Sequence, residues 1–314
     1  MSWLVSLLLG IFTIAELNCE NLFDAEHDTL KNDVEFLPQS YHHWTHYRYW
    51  KKLNHIGQEL VACGGEGVNW TQPDLIALCE VENDSVLTDL TKKSLLRNAR
   101  YEYIMTDSPD ERGIDVALLY SPFSFRPIVS HSIRIQLLKD MKPTRDILYV
   151  AGEVITGDTL HVLVVHAPSR AGGDTFSNPF RAQVARQLCA AIDSVRHTAP
   201  EAKIVVAGDF NDYAEGESLR LLRSHGMASV TETARGTHGA KATYKFRGTW
   251  KSLDHILVSE NLWRRKWESH IVDFPFLLTP DDRYGGVMPL RNFSMYKYND
   301  GYSDHLPLVV KIEL

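Results

Sequence analysis

Cysteine is scarce and scattered in this chain. The four present, Cys19, Cys63, Cys79 and Cys189, form no CxxC pair and no zinc-type spacing, which excludes a zinc ribbon and gives no support to a disulfide framework. Cys19 and Cys79 stand inside apolar runs and read as small core fillers. A positive surplus is also missing: 40 Asp and Glu against 33 Lys and Arg give a net charge of −7. Non-specific duplex binding draws its affinity from counterions displaced by basic groups. The acidic balance therefore disfavours a dedicated duplex binder, while leaving open a local basic patch or a metal that neutralises substrate charge. No low-complexity tract, fixed-period repeat or Pro/Gly/Ser-rich linker interrupts the chain, so a solenoid or a string of tethered modules is excluded. No stretch is long enough for a transmembrane span. The apolar residues 1–14 lack a basic n-region and a small-x-small cleavage site. They fit a short secretory signal or an extension of the first strand, with export slightly favoured.

With 44% hydrophobic residues the chain has ample material for a core. Short β-branched apolar runs at 12–17, 75–79, 114–120, 147–155, 160–165, 203–207, 255–259 and 306–312 predict strands. Tyr49, Leu53, Ile56 and Leu60 share one helical face. A second helix is predicted over 178–195, through Phe180, Val184, Leu188, Ile192 and Val195, with Pro179 just inside its start. Strands and helices interleave from end to end. An α/β fold of two packed sheets is expected, as one domain over 12–314 preceded by an apolar segment 1–11. Segments 26–47 and 275–301 lack clean periodicity and read as long loops bordering a cleft.

Polar residues close these strands in a pattern. Asn18 follows IFTIAEL, Glu80 follows DLIALC, and His166 closes LHVLVV; Asp209 and Asn211 follow KIVVAG, and Asp304–His305 precede LPLVVKI. One polar strand end means only that the chain has met water. Five, all in acid, amide or imidazole chemistry, point to a site mounted on a rigid scaffold. Strand alternation turns Cys79 inward and leaves Glu80 on the opposite side, able to face a cleft. Asn18 and the GDFN turn each read equally as local turn formers. Asp254, opening SLDHILV, is placed to orient an imidazole and raise its basicity. Arg170, in HAPSR, stands within reach of a phosphate at His166, while Arg112, Arg145 and Arg181 read more simply as surface charges.

Taken together, LNCENLFD, LCEVEN, GIDVALLY, VVHAPSR, GDFND, SLDHILVS and SDHLPL resemble the endonuclease/exonuclease/phosphatase superfamily, in its motif order from about residue 12 to residue 312. The resemblance implies a four-layer αββα sandwich of two mixed sheets with helices outside. It implies Mg²⁺ or Mn²⁺ held mainly by Glu80, with Asn18 close by and Asp304 contributing. It pairs His305 with Asp254 as water-activating base or transition-state stabiliser and makes Asp209 the rival for positioning the water. Asn211 would bind a phosphate oxygen, and His166 would contact the phosphate and protonate the leaving oxygen. Many members carry Gln where this chain has Cys79, a departure that leaves the metal carboxylate in place.

The expected activity is metal-dependent hydrolysis of a phosphoester by a monomer. Nucleic acid, lipid and small-molecule phosphates all stay open as substrate. The aromatic, basic segment 41–52 (YHHWTHYRYWKK) keeps a nucleic acid in view, since aromatics stack on bases. Its simpler reading is a loop entering the first helix. The competing class is a catalytically silent binding module on the same fold. Retention of Glu80, Asp209, Asn211, Asp254 and His305 together argues against it.

Overall fold

Each apolar run becomes a strand because both of its faces find something to pack against. The computed structural model describes residues 10–65 and 70–314; the sequence reading of residues 1–9 falls outside them. Strands are numbered β1 to β18 along the chain. Among the described residues, one six-stranded sheet has the order β13 (Trp267–Ile271), β18 (Leu308–Glu313), β1 (Ile11–Leu22), β2 (Leu75–Val81), β4 (Asp115–Tyr120), β3 (Glu102–Met105). The other runs β5 (Phe125–Ile133), β6 (Ile147–Val154), β7 (Thr159–His166), β8 (Lys203–Asp209), β12 (Asp254–Ser259), β9 (Met227–Ser229). Both sheets are mixed: β1–β2 and β7–β8 are parallel and their other neighbours antiparallel. Three hairpins complete the strands: β10 (Tyr244–Phe246) with β11 (Thr249–Lys251), β14 (Leu278–Pro280) with β15 (Val287–Pro289), and β16 (Phe293–Ser294) with β17 (Lys297–Tyr298).

The two large sheets pack face to face, β1 and β2 lying over β7, β8 and β12. The three longest helices are α1 (His46–Ala62), α2 (Asp174–Thr198) and α3 (Glu217–Ser224). Helix α1 covers the first sheet; α2 and α3 cover the second, completing the four-layer αββα sandwich. The predicted stripe of α1 is buried, and so are the sulfhydryls, all four of which are free. No helix among the described residues is long and apolar enough to cross a membrane.

Three boundaries differ from the sequence reading. Strand β1 begins at Ile11, inside the segment set apart as 1–11, and runs on to Leu22, so Asn18 lies within the strand rather than at its end. Helix α2 begins at Asp174 behind Gly173, which puts Pro179 in the second turn. There the proline forfeits one backbone bond toward Thr175, a loss the long buried face outweighs. The segment 275–301 is not bare loop but holds the β14–β15 and β16–β17 hairpins.

Helix α1 also buries two charges that its apolar periodicity does not announce, Lys52 and Glu59. Neither Glu59 carboxylate oxygen has a hydrogen-bond partner. Burial pushes this carboxyl from 4.5 up to about 8, against the pull of Lys52. A carboxyl whose pKa is raised in the folded state stabilises fully below its unfolded value and loses that contribution as pH rises through the folded one. The protein is therefore expected to lose thermal stability between pH 4.5 and about 8, and Glu59→Gln to make that decline shallower. Melting temperatures of both proteins across this range check it; parallel declines would show that Glu59 does not titrate in the folded state.

Candidate active site

Period-two alternation delivers the polar strand ends to one place. Val162 and Val164 of β7, Val205 and Ala207 of β8, and Ile256 and Val258 of β12 belong to the core that includes the inter-sheet space. Their neighbours Leu163, Val165, Ile204, Val206 and Leu257 pack instead with α2 and α3. Continuing the first series by two residues reaches His166, Asp209 and Asp254, so all three share the inter-sheet face. The register pairs His166 with Asp209 and Asp209 with Asp254, bringing them to the same edge although β12 runs opposite to β8. From the other sheet, β1 contributes Asn18, and the turn before β18 contributes Asp304 and His305.

Hydrogen bonds tie these groups into two linked units. In the first, Nδ1 of His305 lies 2.9 and 2.8 Å from the two oxygens of Asp254, and the Thr243 hydroxyl donates to Asp254 Oδ2. The His305 amide donates to Ser303 Oγ at 3.1 Å, and the Ser303 hydroxyl donates to the Asn18 carbonyl at 2.6 Å. Tyr244 packs its ring 4.8 Å from the imidazole. In the second unit, Asp209 accepts from Asn18 Nδ2 at 3.1 Å, from the Asn211 backbone N–H at 2.7 Å and from Asn211 Nδ2 at 3.2 Å. Asn211 Nδ2 also donates to the Ala167 carbonyl at 3.1 Å, so the amide is held on two sides. His166 Nε2 stands 3.6 Å from Asp209 Oδ2 and 3.7 Å from Glu80 Oε1.

Burial and neighbouring charge separate the protonation states of these groups. Burial alone would lower the His305 pKa, but the bonded Asp254 carboxylate, then Asp304 and Asp209, hold it well above the ordinary imidazole range. His166 goes the other way, pushed well below that range by burial and by Arg145, Arg112 and His305. Burial, with the Asp254 charge behind it, lifts the Asp209 carboxyl to about 7. One imidazole is thereby held charged and the other neutral.

Glu80 reaches the site by a different route from the one alternation suggests. Cys79 does face the second sheet, its thiol 3.3 Å from the Val165 carbonyl. Simple alternation would send Glu80 to the opposite side, away from His166. Instead the β2–β4 register breaks between Cys79 and Val81, and Glu80 has a φ of 61°, rare for a residue with a Cβ. The bulge turns its carboxylate toward the cavity, where the Asn21 N–H donates to Oε2 at 2.9 Å and Arg112 stands 3.9 Å away. Asn21 itself lies in a matching register break of β1, with φ values of 48° at Glu20 and 59° at Asn21.

A cavity of about 620 Å³ is lined by Asn18, Glu80, His166, Asp209, Asn211, Asp304 and His305, together with groups named below. Asp254 lies behind His305 rather than on the wall. Arg170 is not on the wall either: its guanidinium lies 4.2 Å over the Tyr213 ring, pairs with Asp174 and stands 3.7 Å from Asp212. Arg181 is buried, donating to Ser177 Oγ at 2.8 Å. Arg145, which also lines the cavity, donates to the Ala167 carbonyl at 2.7 Å and to Asp110 at 2.9 Å. The sequence reading missed Arg291, whose guanidinium bridges Asp304 at 2.8 Å and Glu20 at 3.3 Å on the same wall. It lies in a segment with no periodicity to flag it, whereas Glu20 and Asn21 were visible inside LNCENLFD.

The donor set is oxygen-rich. Glu80, Asp209 and Asp304 bring carboxylate oxygens to one cavity beside Asn18, whose Oδ1 accepts from the Glu20 N–H at 2.9 Å, chemistry that fits a hard divalent cation. Asp209, Asp254 and His305 form a tighter group, with ligand-capable atoms within 4.8 Å of one another. There, however, Asp254 and His305 Nδ1 already engage each other, which favours the side of the cavity bearing Glu80.

The family model described as the Endonuclease/Exonuclease/phosphatase family matches residues 13–314. No curated protein matches the chain. Among solved structures, it is similar to the human Nocturnin catalytic domain at 18% identity, covering 96% of this chain and 94% of that one with a TM-score of 0.58. A Bacteroides thetaiotaomicron mannosyl-6-phosphatase aligns at 15% identity over 96% of this chain and 100% of that one, with a TM-score of 0.61. D. rerio TDP2 in complex with a single-strand DNA product aligns at 14% identity over 97% and 99% of the two chains, with a TM-score of 0.57. At such identities the likeness establishes the fold.

The opposed imidazoles give a test that needs no substrate. In an NMR titration of the metal-free protein, His305 is expected to stay protonated through neutral pH and His166 to stay neutral well into the acid range. Asp254→Asn is expected to lower the His305 midpoint by removing the first charge that raises it. A His305 midpoint at the ordinary imidazole value in the parent protein would overturn this electrostatic description.

Proposed function

The chain belongs to the endonuclease/exonuclease/phosphatase family, and from that premise we propose that it hydrolyses phosphoester bonds with a divalent cation, Mg²⁺ or Mn²⁺, bound beside Glu80. The observation that carries this reading is the convergence of Glu80, Asn18, Asp209, His166 and the Asp254–His305 pair on one cavity from both sheets. Glu80 would be the main ligand and Asn18 a neighbouring one; Asp304 would contribute only by sharing its carboxylate with Arg291. When bound, such a cation supplies neutralisation of charge on the phosphoryl and leaving oxygens.

The protonation states divide the remaining work. A His305 held as imidazolium by Asp254 is a hydrogen-bond donor to a phosphoryl oxygen and stabilises charge that develops there. It is poorly suited to accept a proton at neutral pH. Asp209, lifted to about 7 and oriented by Asn18 and Asn211, is the better-poised group to hold and deprotonate the attacking water. Asn211, with its amide hydrogens directed at Ala167 and Asp209, serves chiefly to aim that carboxylate. Neutral His166 stands between Glu80 and Asp209, placed to contact the phosphate. Positive charge on the wall comes from Arg112, Arg145, Lys142 and Arg291 rather than from Arg170.

Two experiments test this. Chelation is expected to abolish hydrolysis and Mg²⁺ or Mn²⁺ to restore it. Glu80→Gln is expected to raise the Mg²⁺ concentration giving half-maximal rate while leaving the circular dichroism spectrum unchanged. An unchanged half-saturation would remove Glu80 as principal ligand, and full activity after exhaustive chelation would remove the metal.

A double-mutant cycle tests the pair. His305→Ala is expected to lower turnover by about 10²–10³-fold, the range for removing one preorganised donor to developing charge. Asp254→Asn should lower it too, and the double variant should be little worse than His305→Ala, since groups acting as a unit are strongly non-additive. Multiplicative losses would show that the two act independently.

A further inference from the structure

The cavity wall is not uniformly polar. Interleaved with the charged and polar groups, its lining includes apolar residues: Met141, Pro143, Pro168, Ala171, Phe176 and Phe180. Phe180 packs against the core beneath α2, and Phe176 meets it edge to face, with ring centroids 5.2 Å apart at 86°. Met141 is buried in the same core. The wall therefore has a firm foundation, yet Phe176 itself remains 55% exposed. A single exposed aromatic on a protein surface needs no explanation. One braced by a second ring, in the cavity lined by Glu80, His166, Asp209 and His305, is an apolar face presented to whatever the cavity binds.

We propose that Phe176, braced by Phe180, is a specificity surface on which a flat aromatic ring of the substrate's organic portion, of the nucleobase type, stacks while its phosphoester lies against Glu80, Asp209 and His305. This rests on the phosphoester-hydrolase reading of the site. Three features favour a nucleotide unit over the alternatives. The six apolar side chains themselves offer no hydrogen-bond donor to a sugar, whose hydroxyls would find donors only at interleaved residues such as Lys142 and Ser169. Arg112, Lys142 and Arg145 share the lining with these apolar groups, a mixture that suits an anionic, aromatic ligand better than an acyl chain. The volume, about 620 Å³, is that of a small-ligand pocket, large enough for one or two nucleotide units. An exposed phenyl face recognises any base, because stacking requires a π surface and not a hydrogen-bonding pattern.

The test separates the ring from the phosphate. Adenosine 5′-monophosphate and ribose 5-phosphate carry the same phosphate and sugar and differ by the base. Titration calorimetry of the full chain with Mg²⁺ is expected to show the base-bearing probe binding about 5- to 150-fold more tightly, the range for one base on an aromatic side chain. Phe176→Ala should bring that ratio close to one by weakening only the nucleotide, and Phe176→Trp should retain it. Circular dichroism confirms folding, and the exposure of Phe176 makes the substitution mild. Equal affinities in the parent protein, no nucleotide binding, or equal weakening of both probes in Phe176→Ala would overturn the proposal. So would tighter binding of a short-chain phosphatidylcholine than of the nucleotide, which would make the wall an acyl site. If the ratio holds but no phosphoester is hydrolysed, the hydrolase reading fails and the stacking surface stands. If phosphoesters are hydrolysed and Phe176→Ala alters neither the ratio nor the relative kcat/KM of nucleotide and sugar phosphates, the stacking surface alone fails.

Discussion

The edge where the two sheets bring their polar groups together depends on keeping Asp209 and Asp254 out of water without leaving them unpaired. Asp209 and Asp254 are almost completely buried and lie on adjacent strands in direct register. Two such charges taken into a low-dielectric space are costly unless hydrogen bonds or counter-charges meet them. The fold supplies both. Asp254 is met by the His305 imidazolium and the Thr243 hydroxyl, and Asp209 by three donors from Asn18 and Asn211. The same solution that makes burial tolerable sets one imidazole charged, one neutral and one carboxyl near neutrality, the conditions proton-transfer chemistry needs.

The backbone carries part of this arrangement as local strain. Glu20, Asn21, Glu80 and Asn211 all have positive φ, and each borders the cavity or directs a group into it. Residues with a Cβ adopt that region at a cost, and such sites persist where surrounding structure over-determines them. The bulges in β1 and β2 face one another, so the Asn21 N–H that one bulge exposes is the donor that holds the carboxylate the other turns inward. Losing the β2 bulge would return Glu80 to the opposite face of the sheet, and losing the β1 bulge would remove the Asn21 donor.

Around this rigid floor the walls are built from less regular chain. Arg291 comes from the segment between β15 and β16, Phe176 from the first turn of α2, and Arg112 from the turn before β4. These are the positions where a common fold acquires its own preferences, since loops and helix starts tolerate change that the packed strands do not. The wall also carries its own positive groups, Arg112, Lys142, Arg145 and Arg291, in a chain whose net charge is −7.

Much of this was legible in the chain itself. Short β-branched apolar runs marked the strands, the helical stripe marked α1, and the polar residues closing five strands marked the edge where a site would form. Those features are local, written within a few residues by the geometry of a pleat or a helical turn. What only tertiary structure decided involves partners far apart in sequence or breaks in regularity. The inward turn of Glu80 comes from a bulge that alternation alone contradicts. Arg291 meets Glu20 across 271 residues, a contact no spacing encodes. Arg170, adjacent in sequence to the His166 motif, is drawn away by Asp174, Asp212 and the Tyr213 ring. Lys52 and Glu59 are buried because α1 is pressed onto β1, although on an isolated helix both would reach water. The sequence thus determined which residues share a face; the packing of two sheets determined which faces meet and which charges were left inside.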